Sequence, residues 1–244
     1  MILAVDIGNT NIKLGIFHYG GYDKLRVDSS ESGLKKIEEA IVDIQFGGAI
    51  VSSVSPAMTA PILSIIAHKV EREPIVVSCK SDTGLSFSVT NPERVGADRI
   101  VAAAYAFNHF QGPAAVVDFG TITAISVVGN GAAFMGGALL PGVRMMARAM
   151  NEHTALLPLV EIIPEVQPLG NNTEGAIASG VVIGSAGAVD RIIKDIGERL
   201  ARDLKVAVTG GNSGVVGRYL SRCDLNDQDL NLKGLKYLYD RMVL

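Results

Sequence analysis

Cysteine is scarce and basic residues are not in excess, and both shortages limit what the chain can do. Its 244 residues include two cysteines, Cys79 and Cys223, which form no C-x-x-C pair and no cluster with histidine. This argues against a structural zinc site, and two lone thiols are typical of a reducing cytosol. Lysine and arginine total 22 against 25 for aspartate and glutamate, a formal net charge of −3. The basic footprint that generic nucleic-acid binding requires is therefore missing.

Long hydrophobic runs are missing as well. The apolar run that opens the chain is interrupted by Asp6 before the core of a secretory signal could form. The longest weakly polar stretch, residues 175–189, is diluted by glycine, alanine and serine and falls short of a membrane span. It is more typical of a closely packed interior helix. We therefore expect a soluble, cytoplasmic protein with neither a membrane nor a nucleic acid as partner.

Two common phosphate-binding loops are also absent. The chain contains neither G-x-x-x-x-G-K-[ST] nor G-x-G-x-x-G. These are the loops of P-loop proteins and of dinucleotide-binding proteins. If a nucleotide binds, it binds through a different kind of turn.

One strand–turn–strand pattern occurs twice in a chain whose strands and helices predict an α/β protein with mixed sheets. Asp-Ile-Gly-Asn-Thr begins at Asp6 and Asp-Phe-Gly-Thr begins at Asp118, each between two apolar strands. The copies are separated by close to half of the chain, which predicts a duplicated two-lobe architecture with a cleft between the lobes. We place the lobes at residues 1–112 and 113–244, with the boundary near Gly112.

The residue types of the two turns suit phosphate groups. Glycine allows successive backbone N–H groups to point at an anion, and Asn9, Thr10, Asn11 and Thr121 add short side-chain donors. A carboxylate beside phosphates is repelled unless a cation lies between them, so an aspartate in each turn implies metal-assisted binding. A single Asp-x-Gly is more often only a tight turn, whereas two copies with matching flanks favour a functional role.

A third glycine-rich turn, Thr-Gly-Gly-Asn-Ser-Gly, begins at Thr209 between a predicted strand and a predicted helix. Beside phosphate-binding turns it could accommodate a nucleoside. A plain strand-to-helix connection fits the sequence about as well, so both interpretations stay open at this point.

A further motif lies between the two Asp-x-Gly turns. Residues 91–99 are Asn-Pro-Glu-Arg-Val-Gly-Ala-Asp-Arg. Together with the turns, with Gly-Gly-Ala-Leu-Leu-Pro-Gly at 136–142 and with Gly-Asn-Asn-Thr at 170–173, this motif resembles type III pantothenate kinase over nearly the whole chain. That family is similar to the superfamily of acetate and sugar kinases, Hsp70 and actin. The resemblance therefore implies an actin-like, ribonuclease H-like ATPase fold.

The resemblance also implies an activity and a set of site residues. The activity is ATP-dependent phosphorylation of pantothenate to 4'-phosphopantothenate, the first step of coenzyme A biosynthesis, by a homodimer. It would need ATP with Mg²⁺ and a monovalent cation, K⁺ or NH₄⁺. Asp98 would be the general base, Asp118 would serve the monovalent cation, and Asp6 would face Mg²⁺ through the phosphates. The implied substrate-binding residues are Gly96, Ala97, Asp98, Arg99, Thr173 and the position of Val89. The implied ATP-binding residues are Asp6, Gly8, Asn9, Thr10, Asn11, Lys13 and Thr121.

Two positions depart from the family pattern. Many members have tyrosine where this chain has Val89, and threonine where it has Ala124. The first change could loosen pantothenate binding, and the second could weaken a phosphate or cation contact. They keep open a non-catalytic nucleotide-binding relative that acts through a partner; a superfamily kinase with another small-molecule acceptor is a further alternative. Outside its motif, Asp98-Arg99 would be only a capped helical turn with a surface ion pair.

Overall fold

The computed structural model describes residues 1–243 and has a mixed α/β architecture. The strands, numbered in chain order, are β1 (Ile2–Ile7), β2 (Asn11–His18), β3 (Gly21–Asp28), β4 (Gly48–Ser53), β5 (Ile75–Val76), β6 (Ser86–Phe87), β7 (Ala114–Phe119), β8 (Ile122–Val128), β9 (Ala133–Pro141), β10 (Lys205–Thr209) and β11 (Leu225–Asn226). The α-helices are α1 (Glu31–Ala40), α2 (Pro56–Ala67), α3 (Ala97–Phe110), α4 (Val143–Glu152), α5 (Thr173–Arg199), α6 (Ser213–Val216) and α7 (Leu230–Val243).

Contacts divide the chain into two compact units. Unit 1 comprises Met1–Tyr105 together with the segment from Leu230 onward, and unit 2 comprises Ala106–Asp229. The sequence places the boundary near Gly112 and assigns the whole C-terminal part of the chain to the second lobe. In the structure the division falls inside α3, and the chain returns to unit 1 at α7.

The return of α7 to unit 1 has a hydrophobic cause. Leu232, Leu235 and Leu238 are spaced by three residues, so they line one face of the helix. All three are buried in the same core cluster as Ala4 of β1 and Ile50 of β4. Burial of this stripe, rather than its position in the sequence, determines where α7 belongs.

Five strands of the six-stranded sheet repeat the order of the five-stranded sheet. In unit 1 the order is β3-β2-β1-β4-β5, antiparallel from β3 to β1 and parallel from β1 to β5. In unit 2 the strands β9-β8-β7-β10-β11 follow one another in the same way, antiparallel from β9 to β7 and parallel from β7 to β11. This recurrence confirms the predicted duplication of an α/β unit with mixed sheets.

The central strand of unit 1, β1, is buried on both faces because helices cover both sides of the sheet. Val5 and Ile7 belong to the core cluster that α1 and α2 complete. Ala4 belongs to the cluster that α3 and α7 complete. Side chains alternate along a strand, so Asp6 shares the face of Ala4. The first carboxylate of the repeated motif therefore points to the side where α3 and α7 lie.

The long helix α5 belongs to the core of unit 2. Ile177, Val181, Ala186 and Val189 are among its buried side chains in the cluster that also contains strand residues of β7 and β10. By length and composition, α5 is the one helix among residues 1–243 that could cross a membrane. Because one of its faces packs in the core of unit 2, α5 is a core helix of this unit, as the sequence predicts for residues 175–189.

Candidate active site

The first Asp-x-Gly turn joins β1 to β2 and is held by one backbone hydrogen bond within the turn and one from Ser29. The N–H of Gly8 donates to the carbonyl oxygen of Asn11 (3.0 Å), and Oγ of Ser29 donates to the carbonyl oxygen of Gly8 (2.8 Å). A Cβ atom at Gly8 would lie 2.9 Å from the Asn11 oxygen, so the turn requires glycine. Asn9 and Thr10 are exposed at the tip. The turn thus presents short polar side chains beside the end of β1.

The carboxylate of Asp6 is held from several elements of unit 1. It is 9% exposed; Oγ of Ser52 donates to Oδ1 (2.6 Å), and Nδ2 of Asn231 lies 3.5 Å from Oδ2. Ser52 stands opposite Asp6 in the parallel pair β1–β4, and Lys13 stands opposite it in the antiparallel pair β1–β2. Side chains at opposite positions share a face of the sheet. A buried negative charge is therefore surrounded by two side-chain donors and a lysine.

The Gly-Ala-Asp-Arg motif forms the start of α3. Asp98 lies in the first turn of the helix, and its Oδ1 accepts a hydrogen bond from the N–H of Arg99 (2.8 Å). A Cβ atom at Gly96 would lie 2.5 Å from that same Oδ1 and 3.2 Å from Cγ1 of Val54. Gly96 is needed here because any larger residue would displace the carboxylate.

Asp98 has the electrostatic character of a base. Burial raises its pKa above the ordinary value of 3.8, and the negative charge of Asp6 raises the pKa further; the N–H and the guanidinium of Arg99 act in the opposite direction. Burial also lowers the pKa of the Arg99 guanidinium, which the charge of Asp98 opposes. A carboxylate with a raised pKa binds a proton more readily, as proton transfer from an alcohol requires.

The remaining predicted substrate-binding residues lie in different parts of the chain. Ala97 is buried at the start of α3, and Val89 is half-buried in the segment between β6 and α3, both in unit 1. Thr173 is the first residue of α5 in unit 2 and is exposed. Its neighbour Asn172 caps the helix, with Oδ1 accepting from the N–H of Gly175 (2.7 Å).

The second Asp-x-Gly turn joins β7 to β8 in unit 2. The N–H of Gly120 donates to the carbonyl oxygen of Ile122 (3.0 Å), and Thr121 is exposed at the tip. Asp118 is half-buried and stands opposite Thr209 in the parallel pair β7–β10. The turn therefore has the same position in its sheet as the first turn has in unit 1.

The third glycine-rich turn is tied to the second. The backbone N–H of Asn212 donates to the carbonyl oxygen of Phe119 (3.0 Å), and its Nδ2 lies within hydrogen-bond distance of the carbonyl oxygens of Phe119 (3.2 Å) and Gly120 (3.3 Å). Gly210 has φ of 96°, and a Cβ atom there would collide with Oδ1 of Asp118. These contacts join the two turns into one structure.

The two aspartates differ in what stands opposite them. Each has a buried hydroxyl residue on the parallel neighbour, Ser52 for Asp6 and Thr209 for Asp118. On the antiparallel neighbour the first has Lys13, whereas the second has Ala124. The two turns therefore occupy equivalent positions in their sheets but differ in the charge of the residue opposite the aspartate.

Two residues that hold Asp6 have no signal in the sequence. Ser52 follows an apolar run and belongs to no motif, and Asn231 lies far from both turns in the chain. Ser52 meets Asp6 only through the parallel register of β4 against β1, which the residue types do not indicate. Nothing in the sequence indicates that Asn231 contacts it.

The oxygen atoms at the two turns suit hard cations. Each turn supplies one carboxylate, together with backbone carbonyl groups and hydroxyl side chains, which are the ligands that Mg²⁺ and alkali ions prefer. Among residues 1–243, no group of three or more histidine, cysteine, aspartate or glutamate side chains could hold a metal ion.

Comparisons with solved structures identify the fold. A protein from Campylobacter jejuni described as a conserved Baf family transcriptional activator superposes with a TM-score of 0.65 at 19% identity, over 98% of each chain. A protein from Sinorhizobium meliloti described as a 2-dehydro-3-deoxygalactonokinase superposes with a TM-score of 0.56 at 13% identity, over 100% of this chain and 97% of the other. At these identities the likeness concerns the fold alone, and it agrees with the predicted actin-like kinase fold.

Comparisons of sequence identify the family. Residues 2–195 match the family model described as type III pantothenate kinase. A type III pantothenate kinase from Moorella thermoacetica is 33% identical, with 99% of each chain aligned. The chain therefore belongs to the type III pantothenate kinases, a family of phosphotransferases.

Proposed function

We propose that the protein transfers the γ-phosphate of ATP to the primary hydroxyl of pantothenate, with Asp98 as general base. Family membership supports the ATP-dependent phosphorylation of pantothenate toward coenzyme A. One observation supports the role of Asp98: burial and the charge of Asp6 raise its pKa. A primary alcohol barely ionises at neutral pH, so a base that takes its proton during attack accelerates the reaction.

In this proposal Asp98 accepts the hydroxyl proton while the alcohol oxygen attacks the γ-phosphorus. The new O–P bond forms as the bond to the oxygen that bridges the β- and γ-phosphates breaks, and ADP leaves with that electron pair. Because Oδ1 of Asp98 accepts from the N–H of Arg99, we assign the proton to Oδ2. The guanidinium of Arg99 is the partner that we assign to the carboxylate of pantothenate.

We assign the first turn to the phosphates of ATP. Gly8 keeps the backbone close to them, and the side chains of Asn9, Thr10, Asn11 and Lys13 donate to their oxygens. Magnesium bound to the phosphates would neutralise the charge that develops on the β–γ bridge. Asp6 would lie on the side of the phosphates where the magnesium ion binds.

We assign Asp118 to the monovalent cation and Thr121 to a phosphate contact. The support is position: Asp118 lies near the end of β7, beside a second glycine-rich turn, and stands opposite the buried hydroxyl residue Thr209. Carboxylate and hydroxyl oxygens are ligands that hard cations prefer. Thr173 is assigned to pantothenate as well.

The cation assignment predicts that turnover depends on K⁺ or NH₄⁺. ADP formation, measured directly by chromatography of the nucleotides, should require pantothenate and should rise at least about tenfold when either cation replaces Na⁺. Asp118→Asn should remove most of this activation and leave the activity without K⁺ nearly unchanged. The assignment is wrong if the wild type is equally active in Na⁺, or if the variant keeps the full response.

The position of the base predicts the effect of one methyl group. Gly96→Ala should lower kcat about 10–100-fold, because the new Cβ meets Oδ1 of Asp98 at 2.5 Å and displaces the carboxylate. Gly180→Ala on α5 is the matched control, since a Cβ atom there meets nothing within 4 Å. Steady-state kinetics with pantothenate varied would measure both. Equal activity of the two variants would contradict the proposed position of the base.

The same assay separates the proposed function from a non-catalytic alternative. Val89 and Ala124, the two departures from the family pattern, motivate that alternative. A binding protein would give a calorimetric signal with ATP or pantothenate but no ADP at any cation concentration. A kinase for another acceptor would form no ADP with pantothenate. It would form ADP with a different alcohol from a panel of small-molecule acceptors.

We also propose that the protein works in the cytoplasm as a homodimer. Large apolar side chains of unit 2 are exposed, among them Leu156 (92%), Leu169 (87%) and Leu139 (59%). Large apolar side chains that are exposed in a single chain can become buried in an assembly. Sedimentation velocity should give twice the mass of the 25.7 kDa chain, and a monomer at micromolar concentration would contradict this proposal.

A further inference from the structure

The first turn of α7 contacts the carboxylate of Asp6. Asn231, the second residue of the helix, is 5% exposed, and its Nδ2 lies 3.5 Å from Oδ2 of Asp6. Ser52 on β4 donates to the other oxygen, Oδ1 (2.6 Å). Each oxygen of the carboxylate therefore has one side-chain neighbour that can donate, and the two neighbours come from different elements.

The amide of Asn231 has an unusual environment. Its Oδ1 is buried and, among the described residues, has no hydrogen-bond partner. Rotating the amide by 180° would bring this oxygen to the carboxylate of Asp6 and replace a donor with an acceptor. The charge of Asp6 therefore fixes the orientation of the amide. A leucine has the same branched shape and lacks the unpaired Oδ1, so packing alone does not account for an asparagine.

The helix that carries Asn231 also contacts the helix that carries Asp98. At Gly234 a Cβ atom would lie 2.7 Å from Cγ1 of Val101 and 3.2 Å from Cβ of Tyr105, so α7 and α3 approach closely. Both helices contribute to the cluster that contains Ala4 of β1. Through these contacts α7 is fixed against the strand of one carboxylate and the helix of the other.

We propose that Asn231 is a positioning residue for phosphoryl transfer, which holds the carboxylate of Asp6 in the one orientation that serves the magnesium–nucleotide complex. The proposal rests on the function proposed above for Asp6. Asn231 lies outside residues 2–195, which match the family model. Its position in the fold, and not a sequence motif, indicates the role.

The physical reason is rotation about the Cβ–Cγ bond of Asp6. With Ser52 alone, the carboxylate keeps one hydrogen bond and can turn about it. With Asn231 as the second donor, both oxygens are fixed before the nucleotide arrives. Residues that orient a metal-facing group in this way typically contribute 10–100-fold to metal affinity or activity.

Asn231→Leu tests the proposal because it removes the donor and the unpaired Oδ1 at similar volume. We expect kcat/KM for ATP to fall about 10–100-fold and half-activation to need more Mg²⁺. The melting temperature should change little, because the variant removes the unpaired Oδ1 of Asn231 together with the donor to Oδ2 of Asp6, and the two effects oppose each other. Lys236→Ala is the control on the same helix: it breaks only the ion pair with Asp240 at the surface and should change neither kinetics nor the Mg²⁺ curve.

Two further variants keep the proposal falsifiable. Asn231→Ala removes the same donor without adding bulk and should raise the Mg²⁺ requirement as Asn231→Leu does, which serves if the leucine variant does not fold. In a background of Asp6→Asn, Asn231→Leu should cause no further loss in the calorimetric affinity for magnesium–ATP, since the two residues act through one carboxylate.

The outcomes separate the two proposals. If Asp6→Asn keeps normal turnover and a normal Mg²⁺ curve, the function proposed for the first turn is wrong. If Asp6→Asn is impaired while Asn231→Leu behaves as the wild type, only the inference about Asn231 is overturned. A parallel loss of melting temperature and activity at every Mg²⁺ concentration would also overturn it, because that result describes a purely structural residue.

Discussion

Asp98→Asn is expected to lower kcat by about 10²–10⁴-fold, because the amide cannot accept the proton of the attacking hydroxyl. The replacement is isosteric, and its oxygen can still accept from the N–H of Arg99, the bond that holds Oδ1 in the wild type (2.8 Å). The affinity for magnesium–ATP should therefore change little. Steady-state kinetics and calorimetry on the same sample measure the two effects.

The control for Asp98→Asn is the same chemical change at an exposed site. Asp195 forms an ion pair with Arg191 on the surface of α5, and surface pairs of this kind contribute little to stability. Asp195→Asn should therefore leave turnover and the melting temperature as they are. If Asp98→Asn were as active as this control, Asp98 would not be the base.

The raised pKa of Asp98 also predicts a pH-dependent change in stability. The folded protein holds this proton more tightly than the unfolded chain does, so stability is lost as the pH rises above the ordinary value of 3.8, and the loss is complete once the pH exceeds the raised pKa. Asp98→Asn removes that cost, and Tm at pH 7–8 should rise by about 2–4 °C for each kcal/mol regained. The difference should disappear as the pH falls to the ordinary value of 3.8. A lower Tm for the variant at neutral pH would contradict this explanation.

Asp6→Asn should be nearly as damaging, with a loss of about 10²–10³-fold in kcat/KM for ATP. The amide keeps the size of the side chain but removes the charge that faces the magnesium side of the phosphates. The remaining activity should need more Mg²⁺. Titration with Mg²⁺ at fixed ATP measures the change, and Asp23→Asn on β3, which loses only a contact with His18 at the surface, is the control.

The same variant changes the pKa of the base. The charge of Asp6 is the second cause, after burial, of the raised pKa of Asp98. Without that charge the pKa of Asp98 falls toward its ordinary value, so the acidic limb of the profile of kcat/KM against pH should move to lower pH. A limb that stays in place would show that the two carboxylates do not interact.

Much of the site was accessible from the sequence because its residues lie in short local motifs. Asp6 and Gly8 are part of a turn whose glycine is dictated by one backbone contact, and that turn occurs twice. Asp98 depends on Gly96 two residues earlier. Such requirements are local, so residue type and spacing are enough to indicate them.

What the sequence did not indicate depends on contacts between distant segments. Ser52 meets Asp6 only because β4 pairs in parallel with β1, and Asn231 meets it only because α7 returns to unit 1. Nothing in the local sequence distinguishes a serine after an apolar run, or an asparagine in a helix, from residues of the same type without a role in a site. The membership of α7 in unit 1 has the same origin, since burial of an apolar stripe and not chain order assigns this helix.

The nucleoside role of the third turn stays a prediction. The sequence fits a nucleoside-binding turn and a plain strand-to-helix connection about equally well. The structure adds the hydrogen bonds of Asn212 to Phe119 and Gly120. These bonds explain why Asn212 is buried and why Gly210 is required beside Asp118. They concern the backbone of the turn and leave the base of the nucleotide unassigned.

The central claim is that Asp98 activates the primary hydroxyl of pantothenate for attack on ATP. Phosphorus NMR of a reaction with ATP, Mg²⁺, K⁺ and pantothenate tests it most directly. The account predicts one new monoester signal, coupled to the protons of the primary carbinol and equal in amount to the ADP formed, from the wild type but not from Asp98→Asn. Formation of that product by Asp98→Asn at the wild-type rate, or of ADP without any pantothenate ester, would contradict the account.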